Sequence, residues 1–197
     1  MNYIYKYFPF INKCKYEDLK IDEIGLYSIS TPKNADIISR LIKKHLNKEN
    51  IIITDAMAGV GGNTLSFSSF FYYVVSIELD ITRFNYLVSN INLYSKTNTL
   101  CIHGDYMNLM RKIQQDVIFL DPPWGGKTYK EHETITLTIN DIPLEDIAEM
   151  IRKDKLCKIL VLKLPLNYDT CNFSNELKEN MIIDRLTKML IVLFKIT

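Results

Sequence analysis

Three short stretches of this chain combine residue types that can do chemistry. The first is DAMAGVGGNT, Asp55 to Thr64, in which Gly59, Gly61 and Gly62 follow the apolar run Ile51 to Thr54 and lead into Asn63 and Thr64. Glycines placed where a strand turns into a helix let the backbone approach a ligand closely. The second is Glu78 in VVSIELD, a carboxylate at the end of the next strand-like run. There it can accept both hydroxyls of a ribose. The third is DPPWGG, Asp121 to Gly126, directly after Val117 to Leu120. An exocyclic amine on an aromatic base is a poor nucleophile, because its lone pair is delocalised into the ring. It must be oriented, and its protons need acceptors. Asp121 and the carbonyl of Pro122 can supply them, while Pro122 and Pro123 keep the backbone extended and stiff. Trp124 offers the largest flat face a side chain can present to a base. A desolvated cationic ring over tryptophan gains ~2 kcal/mol or more. Gly125 and Gly126 let the loop turn away from such a ring.

The glycine turn does not have GxGxxG spacing, and Asp55 ahead of it suits the amino group of a methionine better than a pyrophosphate. These residues therefore favour S-adenosylmethionine over a nicotinamide dinucleotide. Asp105, in IHGDYM after the third strand-like run, can either meet an adenine amine or cap a helix, and Tyr106 beside it can line the ring. Thr31, ahead of Pro32, can cap a helix, contact the donor, or do both. His45 and His103 read as ordinary surface or partly buried residues.

Positioning these groups needs a framework, and the hydrophobic pattern supplies one. From Ile51 onward short β-branched runs alternate with helix-compatible segments, the pattern of a parallel sheet covered by helices. Strands are expected at 51–54, 74–78, 99–102, 117–120 and 158–164. Helices are expected at 63–69, 81–94, 106–112 and 144–153, and another from Thr31-Pro32 to about His45. Runs such as DVIFL and KILVLKL are apolar on both faces, as strands buried between helix layers must be. Two strand-like runs at the end, 181–184 and 188–196, suggest an antiparallel pair closing one sheet edge. The fold class is thus α/β with a central, mostly parallel sheet and a C-terminal hairpin. Residues 1–30 form a short appendage, and 31–197 the catalytic domain.

Composition narrows the classes further. The chain has 197 residues, enough for one domain with a substantial core. Lys and Arg total 24 against 23 Asp and Glu, a net charge of +1 that gives no global case for gripping long nucleic acid. The four cysteines, Cys14, Cys101, Cys157 and Cys171, are scattered without zinc-type spacing, so a reduced intracellular protein with no metal site is expected. No run resembles a signal peptide or a spanning helix. A soluble monomer in the nucleus or cytoplasm is the expectation.

With these residues in view, the chain resembles the trimethylguanosine synthases, RNA cap guanine-N2 methyltransferases. DAMAGVGGNTLSFS is similar to that family's donor loop, and DPPWGG to its acceptor loop, where serine commonly stands in place of Asp121. GLYSISTPKNADII, Gly25 to Ile38, resembles the family's entry into its first catalytic-domain helix. KLPLN, Lys163 to Asn167, resembles the segment after its fifth strand. The resemblance implies a class I methyltransferase fold and S-adenosylmethionine as donor, for which the residues read above as candidates are Thr31, Asp55, Gly59, Gly61, Gly62, Asn63, Thr64, Glu78, Asp105 and Tyr106. It further implies a 7-methylguanosine RNA cap as partner, stacked on Trp124, with Asp121, Pro122 and Trp124 as catalytic residues. Pro123, Lys127, Lys163 and Asn167 would complete the substrate contacts. Residues 1–30, with Tyr5, Lys6, Phe8 and Phe10, could complete the cap pocket. Leu166 stands where the family tends to carry arginine, so Lys127 or Lys163 would serve the phosphate. An adenine amino-methyltransferase is compatible with the acid before PPW, and a cap-binding module without catalysis is a third reading. GlyGly after Trp124 and the intact donor loop weigh against these two.

Overall fold

The computed structural model describes residues 3–126 and 128–196; Lys127, named above as a substrate contact, lies outside them. The chain divides into two compact units, Met1–Gln114 and Gln115–Thr197.

In the first unit, 3-10 turns at Tyr3–Lys6 and Lys13–Asp18 precede the short helix α1, Glu23–Ser28. The Asp22 side chain caps α1 by accepting the Gly25 N–H at 2.8 Å. Helix α2, Pro32–Lys44, begins on a proline whose fixed φ suits a first helical position. Its buried residues Ala35, Ile38, Ser39 and Ile42 recur at helical spacing and form one stripe. Then follow β1 (Ile52–Asp55), α3 (Gly62–Phe70), β2 (Tyr73–Glu78), α4 (Ile81–Leu93), β3 (Thr99–His103) and the four-residue α5 (Tyr106–Leu109). The three strands are parallel in the order β3-β2-β1. Helix α3 is buried from Gly62 to Ser68, so its polar side chains must find partners inside. Ser66 donates to Asp36 Oδ1 at 2.6 Å, and its hydroxyl lies 2.7 Å from that of Ser39 on α2. The N-terminal residues share this unit's core: Phe8 and Leu19 pack with Val60, Leu65, Leu87 and Ile91. Buried Asn90 secures them, bonding both backbone groups of Lys20 and the carbonyl of Val60, each at 2.9 Å.

The second unit holds β4 (Val117–Leu120), the small antiparallel ladder β5 (Thr138–Ile139) and β6 (Ile142–Pro143), α6 (Leu144–Lys153), β7 (Ile159–Leu164), α7 (Asn175–Lys178), β8 (Met181–Arg185) and β9 (Leu190–Lys195). Its longer strands run in the order β4-β7-β9-β8, so the final strand inserts between β7 and β8. The β4–β7 pair is parallel, and β9 is antiparallel to both its neighbours. Every residue of β4 and β7 is buried, as their unbroken apolar runs require.

The architecture is the expected one, an α/β fold with mostly parallel strands and an antiparallel C-terminal pair. The differences are local. The helix expected over 106–112 ends at Leu109, and α1, α7 and the β5–β6 ladder were not anticipated. All of these span six residues or fewer, too short for a hydrophobic period to register. No helix among the described residues is long and apolar enough to cross a membrane, and no cluster of three metal-ligating side chains is found among them.

Candidate active site

The donor-type residues converge at the carboxyl ends of β1 and β2. The chain leaves β1 through Asp55 and turns at Gly59 (φ +55°) and Gly61 (φ +100°) into α3. Gly61 is the N-cap of α3 in the left-handed region, where a side chain is costly. Gly62 lies against the segment ahead of α2. A Cβ there would stand 2.5 Å from Ile29 and 3.1 Å from the Ser30 carbonyl oxygen. Asp55 is fully buried and accepts from the Thr64 hydroxyl at 2.7 Å, and that hydroxyl lies 3.0 Å from the one on Ser76. Thr64 is therefore committed to β1 and β2.

Glu78 is the best-held carboxylate of this turn. It is 7% exposed, its Oε2 accepts the Gly59 N–H at 2.8 Å, and its Oε1 accepts the Asp80 N–H at 2.9 Å. Arg83 adds a contact at 3.5 Å and also reaches Asp22 (3.6 Å) and Asp80 (3.7 Å). Both carboxylate oxygens are thus oriented from the protein side, and Oε2, which has a single protein donor, keeps a lone pair for a ligand hydroxyl. Beyond Glu78 an open cavity of about 450 Å³ is lined by Leu79, Asp80, Ile81, Arg83 and His103. The exposed side chains of Leu79 and Ile81 give it apolar surface fit for a purine ring. His103 was read above as an ordinary residue and the other four were not singled out, although two exposed apolar residues right after a strand-end acid were a usable signal.

The remaining donor candidates are distributed differently. Asp105 caps α5, accepting the Met107 N–H at 2.9 Å and the Asn108 amide at 3.1 Å, and Tyr106 is 2% exposed in the core. Thr31 occupies the N-cap position of α2 but makes no side-chain cap bond, which leaves its hydroxyl to other use. Ser30 Oγ and Asn63 Oδ1 are buried oxygens with no protein partner, on the two segments that meet at Gly62. Buried oxygens of this kind are costly unless a ligand or water meets them. An oriented hydroxyl acceptor, an apolar cavity beside it and waiting polar atoms at the glycine turn fit S-adenosylmethionine.

The acceptor-type residues gather at the end of β4. The pairing of Leu120 with Leu162 brings Asp121 and Lys163 side by side on parallel strands. Lys163 Nζ donates to Asp121 Oδ2 at 2.5 Å, with side-chain exposures of 4% and 16%. Burial pushes the Asp121 carboxyl above the ordinary carboxylate range, while the Lys163 ammonium pulls against that rise. Pro122 is buried and Pro123 exposed. Trp124 is half-buried and stays out of the core: its indole N–H donates to the Lys163 carbonyl at 3.3 Å, and Lys163 Nζ lies 5.5 Å from the ring centroid. Tyr129 meets the indole edge-on at 5.3 Å. Asn167 uses its amide to hold the loop carrying Tyr129, donating to the carbonyls of Tyr129 and His132, both at 2.8 Å.

The parallel strands, the inserted antiparallel β9 and the strand-end glycine turn with its acid define a class I methyltransferase fold. Solved structures share it: an rRNA methylase from Streptococcus thermophilus (12% identity, TM-score 0.57, 86% of this chain and 99% of that one) and a precorrin-6y methyltransferase from Geobacter metallireducens (9%, 0.62, 92% and 95%). Residues 50–195 match the family described as RNA cap guanine-N2 methyltransferase, and this chain belongs to that family. Fold and family alike are those of S-adenosylmethionine-dependent methyltransferases. Among its relatives are an uncharacterised protein of Acanthamoeba polyphaga mimivirus, 31% identical over 89% of this chain and 78% of that one. Two others are the trimethylguanosine synthases of Schizosaccharomyces pombe (29% identical, 64% of this chain) and Saccharomyces cerevisiae (26%, 81%). The chain spans 54% and 55% of those two proteins' lengths.

Proposed function

We propose that this chain transfers a methyl group from S-adenosylmethionine to the exocyclic N2 amine of a 7-methylguanosine RNA cap, giving di- or trimethylguanosine. The observation that carries the proposal is the placement of the Trp124 indole: out of the core, tied by its N–H and three positions after the Asp121 carboxylate. The donor, when bound, supplies an activated methyl on a sulfonium. Glu78 accepts from the ribose hydroxyls, the Leu79–Ile81 surface takes the adenine, and Ser30, Thr31 and Asn63 receive the methionine end. Asp105, whose carboxylate is already a helix cap, serves the adenine edge through the turn it stabilises.

On the acceptor side Trp124 stacks on the base, and the positive charge of a 7-methylated ring strengthens that contact. Asp121 and the Pro122 carbonyl accept the amine hydrogens and so orient the lone pair toward the donor. As the N–C bond forms and the S–C bond breaks, the amine sheds a proton, and the ionised Asp121 carboxylate is positioned to take it. Most of the rate then comes from in-line placement rather than strong base catalysis.

The test supplies labelled S-adenosylmethionine with a 7-methylated cap analogue, an unmethylated cap and an adenine-bearing oligonucleotide. Transfer to the first alone is expected. Label on adenine alone would replace the proposal with an adenine amino-methyltransferase, and cap binding with no transfer would leave a binding module.

A further inference from the structure

Lys163 was expected to meet a phosphate, yet its ammonium is withdrawn from solvent and its contacts all point into the acceptor loop. The side chain reaches Asp121 at 2.5 Å and lies 5.5 Å from the Trp124 ring centroid, while the carbonyl of the same residue accepts the indole N–H at 3.3 Å. One residue on β7 therefore touches both groups that the proposed reaction assigns to the base. We infer that Lys163 is a positioning residue of the acceptor site, holding the Asp121 carboxylate and the Trp124 indole in a single arrangement through its ammonium and its own carbonyl. This inference rests on the roles proposed above for Asp121 and Trp124.

Two consequences follow from the charges. Lys163 is the charged group facing Asp121 among the described residues, and it opposes the effect of burial on the carboxyl. With the ammonium present, Asp121 stays ionised to lower pH and keeps an oxygen able to accept from the amine. Asp121 in turn neutralises the ammonium beside the indole. A cationic base can then approach the ring without meeting an unpaired positive charge. Removing the carboxylate would leave that charge buried and exposed to the base alone.

Trp124 is the only tryptophan in the chain, so its fluorescence reports on this cluster without any ligand. The experiment titrates that emission with pH in the full-length protein and its variants. The wild-type protein is expected to show a transition above the ordinary carboxylate range, absent in Asp121→Asn. Lys163→Met should raise its midpoint by about one to three pH units, the usual effect of removing an adjacent opposite charge, and Lys163→Arg should return it toward the wild-type position. Where Lys163→Met does not fold, the double variant Asp121→Asn with Lys163→Met, which removes both charges together, should fold and give a flat profile. A midpoint unmoved by Lys163→Met, or a transition that survives in the double variant, would overturn the inference. The acid limb of turnover, measured with labelled donor and 7-methylated cap analogue, should move with the fluorescence midpoint. Failure of transfer to every acceptor, with the fluorescence behaving as stated, would sink the proposed function and leave the Lys163 linkage standing.

Discussion

At the scale of single residues the two halves of the chemistry make separate demands. Under the proposed function Glu78 accepts from a ribose, and backbone N–H groups from Gly59 and Asp80 orient its oxygens beforehand. Glu78→Gln keeps the shape but loses the charge and one acceptor. Donor affinity is expected to fall roughly tenfold to a hundredfold, the range for hydrogen bonds to a charged group, as calorimetry with S-adenosylhomocysteine can check. Trp124→Ala should act on the other ligand alone. Loss of a cation–π contact of ~2 kcal/mol predicts at least a tenfold weaker cap analogue with donor binding unchanged, and equal cap affinity in the variant would remove the stacking role. The sequence singled out both residues, because a strand-end acid and a lone tryptophan after two prolines are chemical signals independent of their neighbours. Lys163 was legible only as a cation. Its partner lies 42 positions away in sequence, and nothing local says that a lysine in an apolar run turns inward.

Elements hold these residues at angles that single positions cannot set. The loop from Thr128 to Ile135 has no long helix or strand to steady it, and Asn167 ties it down by two hydrogen bonds donated from its side-chain amide while Ile135 bridges to Tyr168. Asn167→Ala removes both side-chain bonds, each worth about 0.5–1.5 kcal/mol. Faster amide hydrogen exchange across 128–135 and a raised KM for cap analogue, with kcat less affected, are the expected results. Helix α6 shows a second tie. Its Glu149 accepts from Arg152 at 2.7 and 2.9 Å and from Ser174, the N-cap of α7, at 3.1 Å. The Arg152 bond chiefly holds the Glu149 carboxyl down to about 2 from an ordinary 4.5. A lowered value in the folded state means stability present above pH 4.5 and lost as the pH falls toward 2. Glu149→Gln should therefore melt lower than the wild-type protein at neutral pH, by no more than ~1 kcal/mol for a partly exposed pair, and the two melting curves should converge in acid. Main strands and longer helices were readable from periodicity, whereas α1 and the β5–β6 ladder are too short to show one.

For the molecule as a whole, charge is the property that reaches furthest. A net charge of +1 offers little to a phosphate backbone beyond the cap. A cap analogue and a longer capped oligonucleotide should consequently bind within about tenfold of each other, and the affinity of the longer one should fall only gently with salt. A steep salt slope would assign RNA-body contacts to surfaces outside the cap site. The fold class, the glycine turn, Glu78 and the acid-proline-tryptophan loop were all determined by the amino-acid sequence, since hydrophobic period and residue chemistry are local properties. The tertiary structure alone decided that Asp121 pairs with Lys163, that Thr64 serves Asp55, that Asn167 braces a loop, and that Leu79 and Ile81 stand open beside Glu78. Each of those depends on strand register or on which side of an element meets solvent, and both emerge only when distant segments pack together.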